Sequence, residues 1–573
     1  MEYKSQNVVC QNCKIQFTID PEDFNFYEKI KVPPPTFCPE CRFQRRMVWR
    51  NERTFYKRDC DLCKKKIISM FPAETTFPVY CKDCWYGDGW EATDFGRDYD
   101  FSKTFFEQFR DLSLVVPRLA LWQRSLINSP YTNFSGESKN VYLSVSVVVG
   151  SENVFYSRSV DKSSNIFDSL NVRDSDSCYQ NIDAEKNYNC FYATLSKNCV
   201  DSYFIYDCSN CSDCFMCSNL RNKKYHIRNK QYSEEEYQKE KEKFGFESRK
   251  KHEELIKEFE KLTKNAIHKY ATILKSLNST GNNLSNVKNC KYCFDTYNTE
   301  NMKYGYRCFY MKDSMDLFFS ASSELLYEYT SGSLHDFNVK FSYSALDQVQ
   351  NAEYAESCIS SSDLFGCSGI KNKQCVILNK VYSKEKYDEL IAKIKKQMED
   401  MPYIDKKGRI YKYGEFFPIE IGPYAYNETA AQDYFPLNKE RAKEEGYGWK
   451  ESEVKDYKIT LEADKIPDNI KDIEENILNE VLGCSHNEKC SHQCMKAFRL
   501  TKDEFSFYKK HNIPVPNKCS NCRYYERFNK MLPTNLWHRK CMKEGCNNEF
   551  ETSYAPERPE TVYCEECYNK EVY

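Results

Sequence analysis

The sequence predicts a mainly β protein with added α-helices: two β-solenoid blocks made of 12-residue repeats, amphipathic helices, and tandem zinc ribbons at both termini. Three observations carry this expectation: close cysteine pairs at the chain ends, a fixed 12-residue period in the middle, and two chain ends that copy one another. The composition agrees with them. Among 573 residues, 40% are hydrophobic and 29% charged, with a net charge of −2. There is no run of about 18 apolar residues to span a membrane, and the opening MEYKSQNVVC lacks the apolar core of a secretory leader. A cytoplasmic location is therefore expected, with the 30 cysteines reduced.

Four C-x-x-C pairs stand near the start: Cys10/Cys13, Cys38/Cys41, Cys60/Cys63 and Cys81/Cys84. Two such pairs across a loop supply the four soft thiolates that a tetrahedral zinc ion prefers. Grouped in order, they form two sites. The C-terminal pairs Cys490/Cys494, Cys519/Cys522, Cys541/Cys546 and Cys564/Cys567 form two more, so about four zinc ions per chain are expected. The first of these pairs has nearby competitors in Cys484, His486 and His492. The ends match in register: Cys38, Cys41, Arg42, Arg46, Arg58 and Cys60 recur 481 residues later as Cys519, Cys522, Arg523, Arg527, Arg539 and Cys541.

The stretches CQNCKIQFTIDPEDFNFYEKIKVPPPTFCPECRFQRR and CMKAFRLTKDEFSFYKKHNIPVPNKCSNCRYYER share the pattern C-x-x-C-x3-F…FxFY…P-x-x-C-x-x-C-R, the second with C-x3-C in its leading pair. This pattern resembles a bacterial zinc-ribbon domain. It is specific for metal binding and silent about function.

Residues 140–232 repeat with a period of 12, with one first step of 13. The rungs open at Asn140, Asn153, Asn165, Ser177, Asn189, Asp201, Asp213 and Tyr225. Asn, Asp and Ser suit a corner because they satisfy local backbone groups and tolerate turn geometry. The third place is aromatic in seven rungs, from Tyr142 to Phe215, and either packs beneath a neighbour or offers a stacking face. The run Cys208, Cys211, Cys214, Cys217 falls in slots filled elsewhere by Val, Ser, Ala and Ile, so it reads as small core residues rather than a cluster site. A second block at 289–382 shows 12-residue spacing with one step of 14, and its end matches the end of the first block at a displacement of 150.

Leu255, Phe259, Leu262, Ala266, Tyr270, Ile273 and Leu277 recur at steps of three and four, an amphipathic helical seam. Ser233 followed by Glu236 forms a capping box. The expected organisation is 1–92 tandem ribbons, 93–139 connector, 140–232 first block, 233–281 helical segment, 289–382 second block, 383–400 helix, 401–483 aromatic and proline-rich wrap and linker, and 484–573 tandem ribbons. KDIEENILNEVLG reads as a short helix within that linker. This order resembles an uncharacterised multi-zinc-ribbon protein family of candidate-phyla (Patescibacteria-type) bacteria. The resemblance implies a bacterial origin and several ribbons, and supplies no activity or partner.

Function is expected to be non-enzymatic. Four thiolates leave zinc no open position for a substrate, and no phosphate-binding loop or hydrolase motif is present. Residues 31–66 hold 11 Lys/Arg against 4 Asp/Glu, and residues 518–543 hold 7 against 1. Interleaved with Trp49, Phe55, Tyr56, Tyr524, Tyr525 and Trp537, these charges predict nucleic-acid binding, RNA preferred, with Arg42, Arg45, Arg46, Arg50, Arg53, Arg58, Arg523, Arg527 and Arg539 on phosphates. The alternative is a protein-interaction scaffold with structural zinc, forming homo-oligomers or binding a protein partner.

Overall fold

The structure is a computed structural model that describes residues 3–344, 346–451 and 457–573. The chain divides into two compact units, and the division is crosswise in sequence. Unit one comprises residues 1–122, 271–451 and 534–536; unit two comprises 123–270, 452–533 and 537–573. The N-terminal ribbons thus belong with the second repeat block, and the C-terminal ribbons with the first.

In unit two the repeat begins earlier than expected. Gln123–Ile127 already pairs in parallel with residues 135–139 of the long strand Ser135–Val148, inside the predicted connector. From there Lys139 pairs with Glu152, Glu152 with Ser164, and Ser164 with Asp176. A second ladder runs Val145, Arg158, Leu170, Ile182. Both ladders take one step of 13 residues and then steps of 12. Tyr179 pairs with Phe191, and Ile182 with Thr194 of the same strand, so the pairing path closes into a ring of eight parallel strands where the period alone predicts an open coil.

Every third residue along the rungs turns a corner in the left-handed backbone region, for example Asn153, Tyr156, Ser159, Lys162 and Asn165, with φ between 48° and 57°. That conformation costs an L-residue roughly 1–2 kcal/mol, least for Asn and Asp. The asparagines offset part of this by bonding along the stack: Asn140 donates to Asn153 at 2.9 Å and Asn153 to Asn165 at 3.0 Å.

Val141, Val154, Ile166, Cys178 and Cys190 stack inside this ladder, all fully buried. Cys208, Cys211, Cys214 and Cys217 continue that core. Their Sγ atoms lie against backbone carbonyls, Cys208 on Tyr206 and Cys217, which is the bonding of thiols rather than metal ligands. Burial pushes the Cys178 thiol up to about 12. The aromatic third-place residues are covered. Phe167 stacks on Phe507 at 4.0 Å and Phe215 on Phe244 at 4.2 Å, so packing, not an open stacking face, accounts for them.

The capping box at Ser233 and Glu236 starts the helix Glu234–Glu242, and the long helix Arg249–Asn265 follows. The latter stops twelve residues short of the predicted seam. Ala266 ends it, Ile267–Lys269 pairs as an edge strand with Thr561–Tyr563, and Ile273–Leu274 opens the ladder of unit one. Strand pairing at both places overrides the helical period.

In unit one the ladder runs Lys288, Glu300, Lys312, Glu324, Phe337, Gln350, Ser362, Gln374. The irregularity is two consecutive 13-residue steps, 324 to 337 and 337 to 350, rather than one step of 14. Helix Lys384–Asp400 follows, capped by Ser383. The predicted wrap then packs Phe416 and Phe417 against Trp49 of the first ribbon, with ring centroids at 5.9 and 5.1 Å. KDIEENILNEVLG forms two 3-10 turns, Ile470–Asp472 and Glu475–Asn479. Residues 452–456 of the predicted linker lie outside the described residues.

Candidate metal centres

Each ribbon builds its site in the same way. The leading cysteine directly follows a short strand, a knuckle loop comes next, and the second pair opens a helix. Cys38, Cys81, Cys519 and Cys564 are the capping residues of helices Pro39–Met47, Lys82–Tyr86, Ser520–Phe528 and Glu565–Val572. In all four ribbons the backbone N–H of that capping cysteine donates to the Sγ of the leading one: Cys38 to Cys10, Cys81 to Cys60, Cys519 to Cys484 and Cys564 to Cys541, at 3.2–3.3 Å. Such N–H donors favour the thiolate. Burial raises the Cys60 thiol, but the backbone N–H groups of Cys81, Cys63 and Leu62 outweigh it and bring it to about 7.

Four sets of four sulfur atoms come together: Cys10, Cys13, Cys38, Cys41; Cys60, Cys63, Cys81, Cys84; Cys484, Cys494, Cys519, Cys522; and Cys541, Cys546, Cys564, Cys567. Within each set all ligand atoms lie within 4.8 Å of one another. A tetrahedron with metal–sulfur bonds of about 2.3 Å has sulfur–sulfur edges of about 3.8 Å. The observed separations fit: 3.7 Å for Cys13–Cys38, 3.8 Å for Cys63–Cys81, 3.8 Å for Cys484–Cys522 and 3.9 Å for Cys546–Cys564. A disulfide requires about 2.05 Å, and all 30 cysteines are free. The four sets could therefore each hold a soft metal ion.

The third set corrects the predicted one. Cys484 takes the place assigned to Cys490. The 481-residue register carries Cys13 to Cys494, Cys38 to Cys519 and Cys41 to Cys522, but it carries Cys10 to Ser491. The C-x2-C knuckle has become C-x9-C, and the leading thiolate sits before the enlarged loop. The vacant register position at Ser491 is the sequence signal that Cys490, one residue away, obscures.

The predicted phosphate-binding arginines face inward. Arg42, Arg45 and Arg46 are at most 1% exposed. Arg42 meets Asp316 at 2.8 Å; Arg45 meets Glu328 at 2.8 Å and Glu415 at 2.9 Å; Arg46 meets Glu328 at 2.7 Å and Asp316 at 3.1 Å. Arg50 pairs with Glu52 at 2.7 Å and lies over the Phe319 ring, and Arg58 pairs with Asp61 and donates to the Pro72 carbonyl. In unit two Arg523 meets Asp168 and Glu504, both at 3.1 Å, and Arg527 meets Asp168 at 2.8 Å. Arg539 points at the carbonyls of Tyr554 and Ala555. Arg53, 20% exposed, faces Asp433 at 3.7 Å. Trp49, Tyr524 and Tyr525 are buried as well. Arg42, Arg45, Arg46, Arg523 and Arg527 are thus the inner halves of buried ion-pair clusters, whereas Arg53 and Arg539 are half-buried and the lysines Lys57, Lys64, Lys65 and Lys66 stay exposed.

The acidic halves were not foreseen. Asp168, Asp316 and Glu328 occupy left-handed corners of the ladders, with φ of 48°, 60° and 48°. With the two 13-residue steps in place, Asp316 is the counterpart of Asp168 at a displacement of 148, and Tyr304 of Tyr156. Arg42 lies over Tyr304 at 5.5 Å, and its copy Arg523 over Tyr156 at 4.7 Å. The same clasp of two arginines, one aspartate and one tyrosine therefore seats the first ribbon on the ladder in both units. Burial alone raises Glu328, but Arg45, Arg46 and Arg42 together hold it below the usual glutamate range. Burial pushes Glu504 up despite Arg523.

No helix among the described residues is long and apolar enough to cross a membrane. No protein-family model matches the chain, and no curated protein matches its sequence.

Proposed function

We propose that this protein is a non-enzymatic, zinc-dependent scaffold for protein–protein interaction, in which zinc shapes ribbons that plug onto repeat ladders. One observation carries the reading: the ribbon arginines matched between the two ends, Arg42, Arg46, Arg523 and Arg527, close on ladder carboxylates instead of on the exterior. Zinc is the ion that best suits four thiolates at tetrahedral spacing, and a closed four-thiolate shell has no place for a reacting substrate. The ladders serve as narrow solenoids, one rung per 12 residues. The partner-to-partner step of 12 and the corner at every third residue support this. The resemblance to multi-zinc-ribbon bacterial proteins is part of the same proposal.

Elemental analysis of the reduced full chain should give at least four zinc ions. Each contributes on the order of 10–16 kcal/mol to its ribbon. Cys41→Ser should therefore strip hydrogen-exchange protection from Pro39–Met47 and spare the ladder strands. R42A/R46A should lower the unfolding temperature of unit one, and binding of single-stranded RNA at low salt should stay undetectable before and after. An unchanged melt together with RNA affinity that R42A/R46A abolishes would overturn the scaffold reading and restore the nucleic-acid one.

A further inference from the structure

A second group of metal-compatible ligands adjoins the third four-thiolate set: His486, Cys490, His492 and Cys522, with all ligand atoms within 4.8 Å. Cys522 belongs to both groups. Its Sγ stands 3.8 Å from Cys484 Sγ on one side and 3.8 Å from Cys490 Sγ on the other, so each contact has the length of a tetrahedral edge about one metal ion. We propose that this ribbon holds two zinc ions bridged by the Cys522 thiolate, the first bound by Cys484, Cys494, Cys519 and Cys522, the second by His486, Cys490, His492 and Cys522. The inference rests on the zinc reading above and adds a fifth ion to it.

Three observations support the second site. All three additional ligands lie in residues 485–493, the enlarged knuckle that separates this ribbon from its N-terminal copy. The Nδ1 atoms of His486 and His492 are both buried and without a hydrogen-bond partner. A buried polar nitrogen left so is costly, and a metal bond satisfies it. The histidines are also held in ligand poses. His486 Nε2 lies 3.5 Å from Glu526 Oε1, an oxygen that Lys518 Nζ also bonds; a carboxylate in this outer position commonly fixes the ring of a metal-bound histidine. The His492 ring stacks on Tyr525 with centroids 5.7 Å apart and planes at 16°. Glu526 stands at the position that Arg45 occupies in the N-terminal copy. The charge reversal thus accompanies the added ligands.

Electrostatics favour the shared ion. One zinc on four thiolates leaves a net charge of −2, whereas two zincs on five thiolates and two neutral imidazoles leave −1. A bridging thiolate balances two cations, so the second ion removes charge from a partly buried site.

Native mass spectrometry of the full chain prepared with zinc tests this. Five ions should be bound by the unaltered protein and four by H486A/C490S/H492A, which retains all four original thiolates and so keeps the ribbon folded. Four ions in both would overturn the second site while leaving the zinc reading intact; fewer than four in both would instead sink that reading. With ¹¹³Cd in place of zinc, one pair of resonances should show mutual scalar coupling, lost in the triple variant. Five bound cadmium ions without coupling would refute the bridge through Cys522.

Discussion

Unit one and unit two are built from duplicated parts, and they differ where charge is buried. Both seat the first ribbon with a pair of arginines on a single ladder aspartate, Arg42 and Arg46 on Asp316, Arg523 and Arg527 on Asp168. Unit one then adds a second layer. Arg45 bridges Glu328 and Glu415, and Glu328 also receives Arg46. In unit two the positions of Arg45 and Glu328 are Glu526 and Gln180, and Glu526 faces His486 instead. One copy thus uses the helix position to deepen an ion-pair cluster, and the other places there a carboxylate that faces Lys518 and His486. What the two share is the clasp; what each adds is particular to its ladder.

The largest expected difference between the units is at Glu328. Glu328→Gln leaves Arg45 and Arg46 buried without sufficient counter-charge and should cost unit one about 3–5 kcal/mol. Gln180→Ala, at the matching place in unit two, should stay within about 0.5–1 kcal/mol. Unfolding followed separately by hydrogen exchange in the two ladders would show it. Equal losses at both positions would erase the distinction between the layers.

A smaller difference is expected in acid. Burial lowers His252, His268 and His511 to about 4, and all three belong to unit two. Between about pH 6.5 and 4 the unfolded chain binds protons that these folded imidazoles refuse, so unit two loses stability as pH falls through that window, by roughly 2–4 kcal/mol for His252 alone. Glu504 acts in the opposite direction, because its raised pKa lets the folded state take up a proton first. None of the three belongs to unit one, so the loss they cause over this window should be confined to unit two. Glu328 is held below the usual glutamate range, so its contribution is lost at lower pH still. Unfolding temperatures of the two transitions between pH 7 and pH 4.5 would separate them; parallel curves would contradict the assignment.

Much of the architecture was legible in the sequence because it rests on spacing. The cysteine pairs, the 12-residue rungs and the 481-residue register are all distances along the chain, and the corner asparagines and interior Val/Cys slots follow from them. What escaped is what depends on partners far away in sequence. Clustered arginines around Arg42 and Arg523 look like a phosphate-binding surface until Asp316 and Asp168 are brought to them across some 270 and 355 residues. The helical seam from Leu255 to Leu277 obeys the right period, yet Ile267–Lys269 is drawn into an edge pair with Thr561–Tyr563. Cys490 sits close to the expected position and still yields it to Cys484, which comes from before the enlarged loop and accepts the Cys519 N–H. The equivalence of Asp168 and Asp316 is not seen at the 150-residue displacement of the block ends, because the two extra residues between 324 and 350 reduce it to 148 for everything before them.

Buried arginine–aspartate pairs clasp the ribbon onto the ladder in each unit. A double-mutant cycle on Arg46 and Asp316, read on the unfolding of unit one, tests it most directly. Strongly non-additive losses are expected, with a coupling of about 2–3 kcal/mol between R46M and D316N. Losses that simply add, or single substitutions that leave the transition unmoved, would contradict it.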